Sequence, residues 1–146
     1  MAWSRWLSLA VLFVSSPAWA SYRCSNANVR AEISDYQEGL GARGLEVVDE
    51  GSQVFVLSGV LGVRIQAEPG YRYEAFAVSP ERSHLKIDVF DENQRAYAQH
   101  EVPGAFTIKT AFRPMGRGGT HFVSFGSLTG ASTRCVYYVV ARKPVA

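Results

Sequence analysis

"HLKIDVFDENQRAYAQ" (residues 84–99) is the stretch whose reading decides the fold. Leu85, Ile87 and Val89 alternate with Lys86, Asp88 and Phe90, the two-residue period of a strand with one buried face. The alternation stops at Asp91-Glu92-Asn93-Gln94 and resumes near Ala96. Asp88, Asp91, Glu92 and Asn93 suit a calcium site, a catalytic carboxylate group, or the turn between two strands. The turn is the stronger reading, because Asp and Asn side chains satisfy local backbone donors. An EF-hand would need ligands at alternate positions, an obligatory Gly and a distal Glu, a register this segment lacks. Calcium held by Asp88, Asp91 and Asn93 as scattered loop ligands stays open as the alternative.

Working outward from this hairpin, the same period recurs in runs rich in Val, Ile, Tyr and Phe, separated by Gly, Pro, Asn and Ser. Strands are predicted near 45–48, 53–57, 60–67, 71–78, 85–90, 96–101, 106–112, 120–125 and 135–141. Eight or so short strands imply an antiparallel β-sandwich. Tyr71, Tyr73, Ala75 and Ala77 alternate with Arg72, Glu74 and Phe76, so this strand, like the one over 85–90, is expected to have one buried and one wetter face.

Before the strands, Val29, Ile33, Tyr36 and Leu40 recur at helical spacing, which predicts one amphipathic helix over 28–40. Asn28 suits the N-cap, and Gly39, Gly41 and Gly44 supply the stop. So short a helix must dock to persist. Its polar face, Arg30, Glu32, Gln37 and Glu38, reads as solvated surface. The expected organisation is a leader at 1–20, a helical segment at 21–44 packed on the sandwich, and the sandwich at 45–146.

"MAWSRWLSLAVLFVSSPAWA" (1–20) has one basic residue, an apolar run, and Ala18 and Ala20 before a cut, the layout of a secretory signal peptide. Its apolar run falls short of the roughly 20 residues a membrane-spanning helix needs, and no later run is longer. The expectation is an exported chain, periplasmic or extracellular, without a transmembrane segment. Without Arg5, 14 Lys and Arg face 13 Asp and Glu, so there is no general pull toward nucleic acid. In an oxidising compartment the only two cysteines, Cys24 and Cys135, are expected to form a disulfide joining the ends of the domain. A loop of that length contributes at most about 4–5 kcal/mol on the chain-entropy model. Two unpaired buried thiols are the alternative.

Candidate chemistry is sparse. His84, His100 and His121 have no zinc-ligand spacing, and His121 shares a strand face with Val123 and Phe125, as a core histidine would. Ser127 in "FGSLTG" (125–130) does not sit in a G-x-S-x-G elbow. No catalytic residue, metal or cofactor is therefore assigned. "RPMGRGGTH" (113–121) lacks the Lys-Ser end of a phosphate loop and reads as a connection. Arg113, Met115 and Arg117 in that loop are the candidate binding residues, projecting from a flexible support. For carbohydrate the question is whether a sheet face exposes a ring pair. All three tryptophans, Trp3, Trp6 and Trp19, lie in the leader, so a ring pair would come from Tyr and Phe residues, Tyr73, Phe76, Phe90, Tyr97, Phe122, Tyr137 and Tyr138 among them.

"EPGYRYEAFAV" (68–78), "HLKIDVFDENQ" (84–94) and "GGTHFVSFGSLTGASTRCVYYVVA" (118–141) together resemble the bacterial pre-peptidase C-terminal type of domain and related exported sandwich domains. Gln94 stands where that pattern commonly has Gly. The resemblance covers residues 45–141. It implies a non-catalytic, jelly-roll-like sandwich, here standing alone, and carries over no functional residues. The function expected from these readings is an exported interaction or structural module that recognises an envelope or secreted protein. A carbohydrate-binding module and a hydrolase inhibitor acting through the 113–119 loop are the alternatives.

Overall fold

The structure is a computed structural model that describes residues 27–56, 59–127 and 133–145. Residues 1–20, the expected leader, and Cys24 lie outside the described residues. The chain is mainly β, with helix α1 (Ala27–Ala42) followed by strands β1 (Glu46–Val56), β2 (Gly59–Ala67), β3 (Tyr71–Phe90), β4 (Ala96–Phe112), β5 (Gly119–Ser127) and β6 (Thr133–Pro144). Several runs that read as separate strands are joined: 45–48 with 53–57 in β1, 71–78 with 85–90 in β3, and 96–101 with 106–112 in β4.

All six strands form one antiparallel sheet that folds over on itself into two leaves. In one leaf β6 lies between β1 and the first half of β3, which pairs outward with the second half of β4. In the other, β5 lies between β2 and the second half of β3, which pairs with the first half of β4. Halving β3 and β4 gives eight segments, paired first with eighth, second with seventh, third with sixth and fourth with fifth. That is the connectivity of a jelly roll.

Between the leaves lies a core of Val63, Ile65, Tyr73, Ala75, Leu85, Ile87, Val89, Ile108, Phe112, Val123, Phe125, Val136 and Val140. Phe125 of one leaf stacks on Tyr138 of the other at 5.3 Å between ring centres. The second core is built by α1, whose Val29, Ile33 and Leu40 cover Phe76, Val78, Tyr137, Val139 and Ala141. Tyr36 lies flat on Phe76, with ring centres 4.0 Å apart. Tyr137 and Tyr138, adjacent in sequence, accordingly enter different cores. The expectation of a wetter outer face over 71–78 is corrected: Glu74, Phe76 and Val78 are buried, because the helix covers that face.

The helix runs to Ala42, past the predicted end, and closes at Gly44. Leu45 N–H donates to Leu40 O (2.9 Å) and Gly44 N–H to Gly41 O (3.1 Å), the two bonds of a Schellman cap. Gly44 takes φ 73°, the left-handed conformation such a cap requires. Leu45 packs in the same core as Leu40, so the cap also delivers the chain to β1.

β3 crosses from one leaf to the other at Ser79–Ser83, where its register with β4 shifts. Both serines are buried. Their hydroxyls lie 3.3 Å apart, Ser83 Oγ donates to Glu81 O (3.1 Å), and Ser79 Oγ accepts from Glu81 N (3.4 Å). Side chains thus supply partners that the interrupted ladder does not. Ser83→Ala is expected to lower stability by about 1–3 kcal/mol, the cost of leaving a buried polar group without its partner. Urea unfolding measures it, and an unchanged midpoint would show that the hydroxyl does not hold the crossing.

Candidate functional site

The two leaves are covered differently. On the leaf away from α1, the residues alternating with the core face outward: Gly62, Arg64 and Gln66 of β2, Phe122 and Ser124 of β5, Lys86, Asp88 and Phe90 of β3, and Gln99 of β4. No described segment packs over this face. Strand register arranges it in rows. Gly62, Ser124, Asp88 and Gln99 form one, and Arg64, Phe122 and Phe90 form the next.

Phe122 and Phe90 are cross-strand neighbours, both half-buried, and with Gln94 they line a shallow cleft of about 300 Å³. The Arg64 guanidinium sits over the Phe122 ring at 5.6 Å. Polar pairs flank the rings: Gln66 Nε2 donates to Thr120 Oγ1 (3.0 Å) and Gln99 Nε2 to Asp88 Oδ1 (2.9 Å). Lys86 Nζ lies 3.5 Å from the other Asp88 oxygen. A cross-strand aromatic pair edged by amide, carboxylate and guanidinium groups offers ring surface and directed hydrogen bonds together.

Gln94, the third residue of that cleft, has φ 62°, the only positive φ among the described non-glycine residues. It therefore takes the left-handed turn conformation at the position where the resembled pattern has Gly. The turn is built on Asp91, whose Oδ1 accepts from the backbone N–H of Asn93 and of Arg95, both at 2.9 Å. Asp91 is thus directed at its own turn, and Asp88 at Gln99 and Lys86 on the sheet face. No group of three or more His, Cys, Asp or Glu that could hold a metal ion occurs among the described residues.

The 113–118 loop meets this turn at one end of the sandwich. Asp91, Glu92 and Asn93 face Met115, Gly116 and Arg117 across a cleft of about 280 Å³. Met115 is 54% exposed, and Arg113 and Arg117 are also exposed. Gly118, at φ 77°, holds the end of this loop against the β2 end. A Cβ there would lie 2.3 Å from Ala67 O and 2.9 Å from the Pro69 ring.

The histidines do not converge. His84 is hydrogen-bonded to Glu101, His100 is exposed on β4 opposite Ile87, and His121 is buried between the leaves. His121 Nδ1 donates to Gly119 O (3.1 Å), and its ring meets Tyr97 edge-on at 5.7 Å. Burial, and then the nearby Asp91 charge, push the Tyr97 hydroxyl up to about 12. Ser127 ends β5 opposite Leu85 and Gly59. Cys135 lies in β6 opposite Val54, and the disulfide predicted with Cys24 falls outside the described residues.

Sequence reasoning missed a polar centre under the helix end. Glu74 is buried beside α1; Tyr36 Oη donates to its Oε1 (2.6 Å), and Arg43 Nη1 reaches both carboxylate oxygens at 3.0 and 3.1 Å. Burial first, then the Glu74 hydrogen bond and charge, push the Tyr36 hydroxyl well above its ordinary range. The available signal was a lone carboxylate inside the apolar run "YEAFAV" (73–78), since a buried charge demands a partner.

No family model matches the chain, and no curated protein matches it in sequence. Gly118→Ala is expected to cost more than about 2 kcal/mol, because the added carbon meets backbone in a conformation that already disfavours a side chain. Gly116→Ala, at φ 59° with open space around it, should cost only about 1–2 kcal/mol. Comparing their melting curves tests whether the loop is pinned at Gly118, and equal losses would contradict it.

Proposed function

We propose that the protein is an exported, non-catalytic recognition module whose open sheet face binds a glycan. The observation that carries this reading is the cross-strand pair Phe122 and Phe90, with Arg64 over one ring, on the leaf the helix leaves uncovered. Sugar rings present apolar C–H faces edged by hydroxyl groups. Phe122 and Phe90 supply surfaces for the first, and Gln66, Asp88, Gln94 and Gln99 supply donors and acceptors for the second. A sheet holds these groups without an ordering cost at binding, which favours affinity. Glycan recognition thereby moves ahead of the envelope-protein partner that the sequence reading placed first.

Export also rests on the leader at 1–20, and with it the disulfide between Cys24 and Cys135. Protein recovered from an oxidising compartment should begin at Ser21 and take up no thiol reagent until reduced. Intact mass before and after alkylation checks both, and labelling of two cysteines without reduction would remove the bridge.

Binding of the purified protein to an array of envelope and extracellular glycans tests the main reading. Retention of one glycan class is expected, with Phe90→Ala and Phe122→Ala each weakening it about five- to tenfold, the weight of one aromatic stacking contact. A second reading is favoured by the exposed Met115 on a loop pinned at Gly118: recognition of a protein partner, including an enzyme cleft, through 113–118. Capture of one envelope protein that is lost in Met115→Ala with Arg117→Ala, but kept in Phe122→Ala, would replace the glycan reading with that one.

A further inference from the structure

Arg72, Lys109 and Lys143 come from three neighbouring strands, β3, β4 and β6, to the outer face of the helix-covered leaf. There they line a cleft of about 270 Å³ with Arg43 from the end of α1 and with Thr110 and Glu74. Glu74 is the one carboxylate among the lining residues, and Arg43 and Tyr36 already hold it. No ion pair to Arg72, Lys109 or Lys143 occurs among the described residues. Arg72 and Lys143 are moreover direct cross-strand partners. Two like charges so placed, with β-carbons about 5 Å apart, repel each other and destabilise the sheet. Bringing an anion between them reverses that sign.

The charge count selects the anion. One guanidinium suffices for a carboxylate, as Arg43 shows on Glu74. Three further cations approaching from three strands match a group with more than one negative charge and several terminal oxygens. We propose that this cleft is a binding site for a phosphoryl dianion, either free or carried on a larger molecule such as a lipid headgroup. It lies on the leaf opposite the aromatic face and does not depend on the glycan reading. Arg43 stays on Glu74 and borders the site, while Arg72, Lys109 and Lys143 make the contacts.

Titration of the purified protein with inorganic phosphate, followed by calorimetry and by melting temperature, tests the site. Saturable binding is expected, with a rise in melting temperature that sodium chloride at equal ionic strength does not reproduce. Arg72→Gln and Lys143→Gln should each weaken phosphate binding about tenfold, the weight of one charge-assisted contact. Neither should lower the melting temperature without phosphate, since each removes repulsion, and this separates lost binding from lost folding. Acetate should bind far more weakly than phosphate. A second arm uses vesicles of phosphatidylcholine with and without phosphatidic acid. Binding to the acidic vesicles that free phosphate competes away, and that both variants lose, assigns the phosphoryl group to a lipid; phosphate binding without vesicle binding assigns it to a soluble ligand. Absence of saturable phosphate binding, or equal binding by the variants, overturns the proposal.

Discussion

Two strands, β3 and β4, belong to both leaves, and the rest of the molecule depends on the crossing of β3. β3 runs from Tyr71 to Phe90, pairing along its length with β4 on one side and with β6 and then β5 on the other. Its crossing at Ser79–Ser83 turns a single sheet into two facing layers. Without that crossing, Tyr73 and Ala75 in one leaf would not meet Leu85, Ile87 and Val89 in the other, and no interior would exist between them. The pairing is also non-local, since β1 must find β6, and β2 must find β5, across more than 50 residues of intervening chain. Loop closure must be completed before these contacts contribute, so a topology of this kind folds slowly for its size.

Unequal covering of the leaves divides the chemistry. Where α1 docks, β3 and β6 are buried on both faces, and a polar group there needs a dedicated partner. Glu74 has two, and the position of Arg43 just beyond the helix follows from the cap at Gly44 that turns the chain back toward the sheet. The other leaf keeps one face in water, so its outward residues are mostly polar or small, with Val60, Phe90 and Phe122 the large apolar ones. Scattered exposed apolar groups are ordinary on protein surfaces. Two half-buried rings in adjacent register positions, with a guanidinium laid over one, are a more specific arrangement than scattered exposure.

The sandwich was legible in the sequence because period-two alternation reports a core face directly. Leu85, Ile87 and Val89 enter the interior as their spacing requires, and Val29, Ile33 and Leu40 do so at helical spacing. The merging of neighbouring runs into β3 and β4 was not legible. Alternation across Ser79–Ser83 is interrupted whether a strand ends or bends, and side-chain patterns do not distinguish the two. The wetter face expected over 71–78 failed for a related reason: alternation describes the sheet, but whether a helix covers its second face is a tertiary fact. Phe90 and Phe122 could be named as aromatic residues, but their adjacency depends on a β3–β5 register set by chain segments more than 30 residues apart. The basic cleft was further from view, since its residues are distributed over the whole chain from Arg43 to Lys143.

Net charge concealed that cleft as well. The full chain carries a formal charge of only +2, which argues against a general attraction to polyanions. Yet recognition depends on the local field rather than the sum. Asp88, Asp91, Glu92 and Glu101 cluster along the β3–β4 hairpin of the open leaf, while Arg72, Lys109 and Lys143 gather on the other. Charges separated by more than a Debye length, about 8 Å at physiological ionic strength, hardly influence each other through solvent. The acidic hairpin therefore does little to cancel the basic cleft on the far leaf. A fold that separates its charges across two layers presents an aromatic pair on one face and a basic cleft on the other.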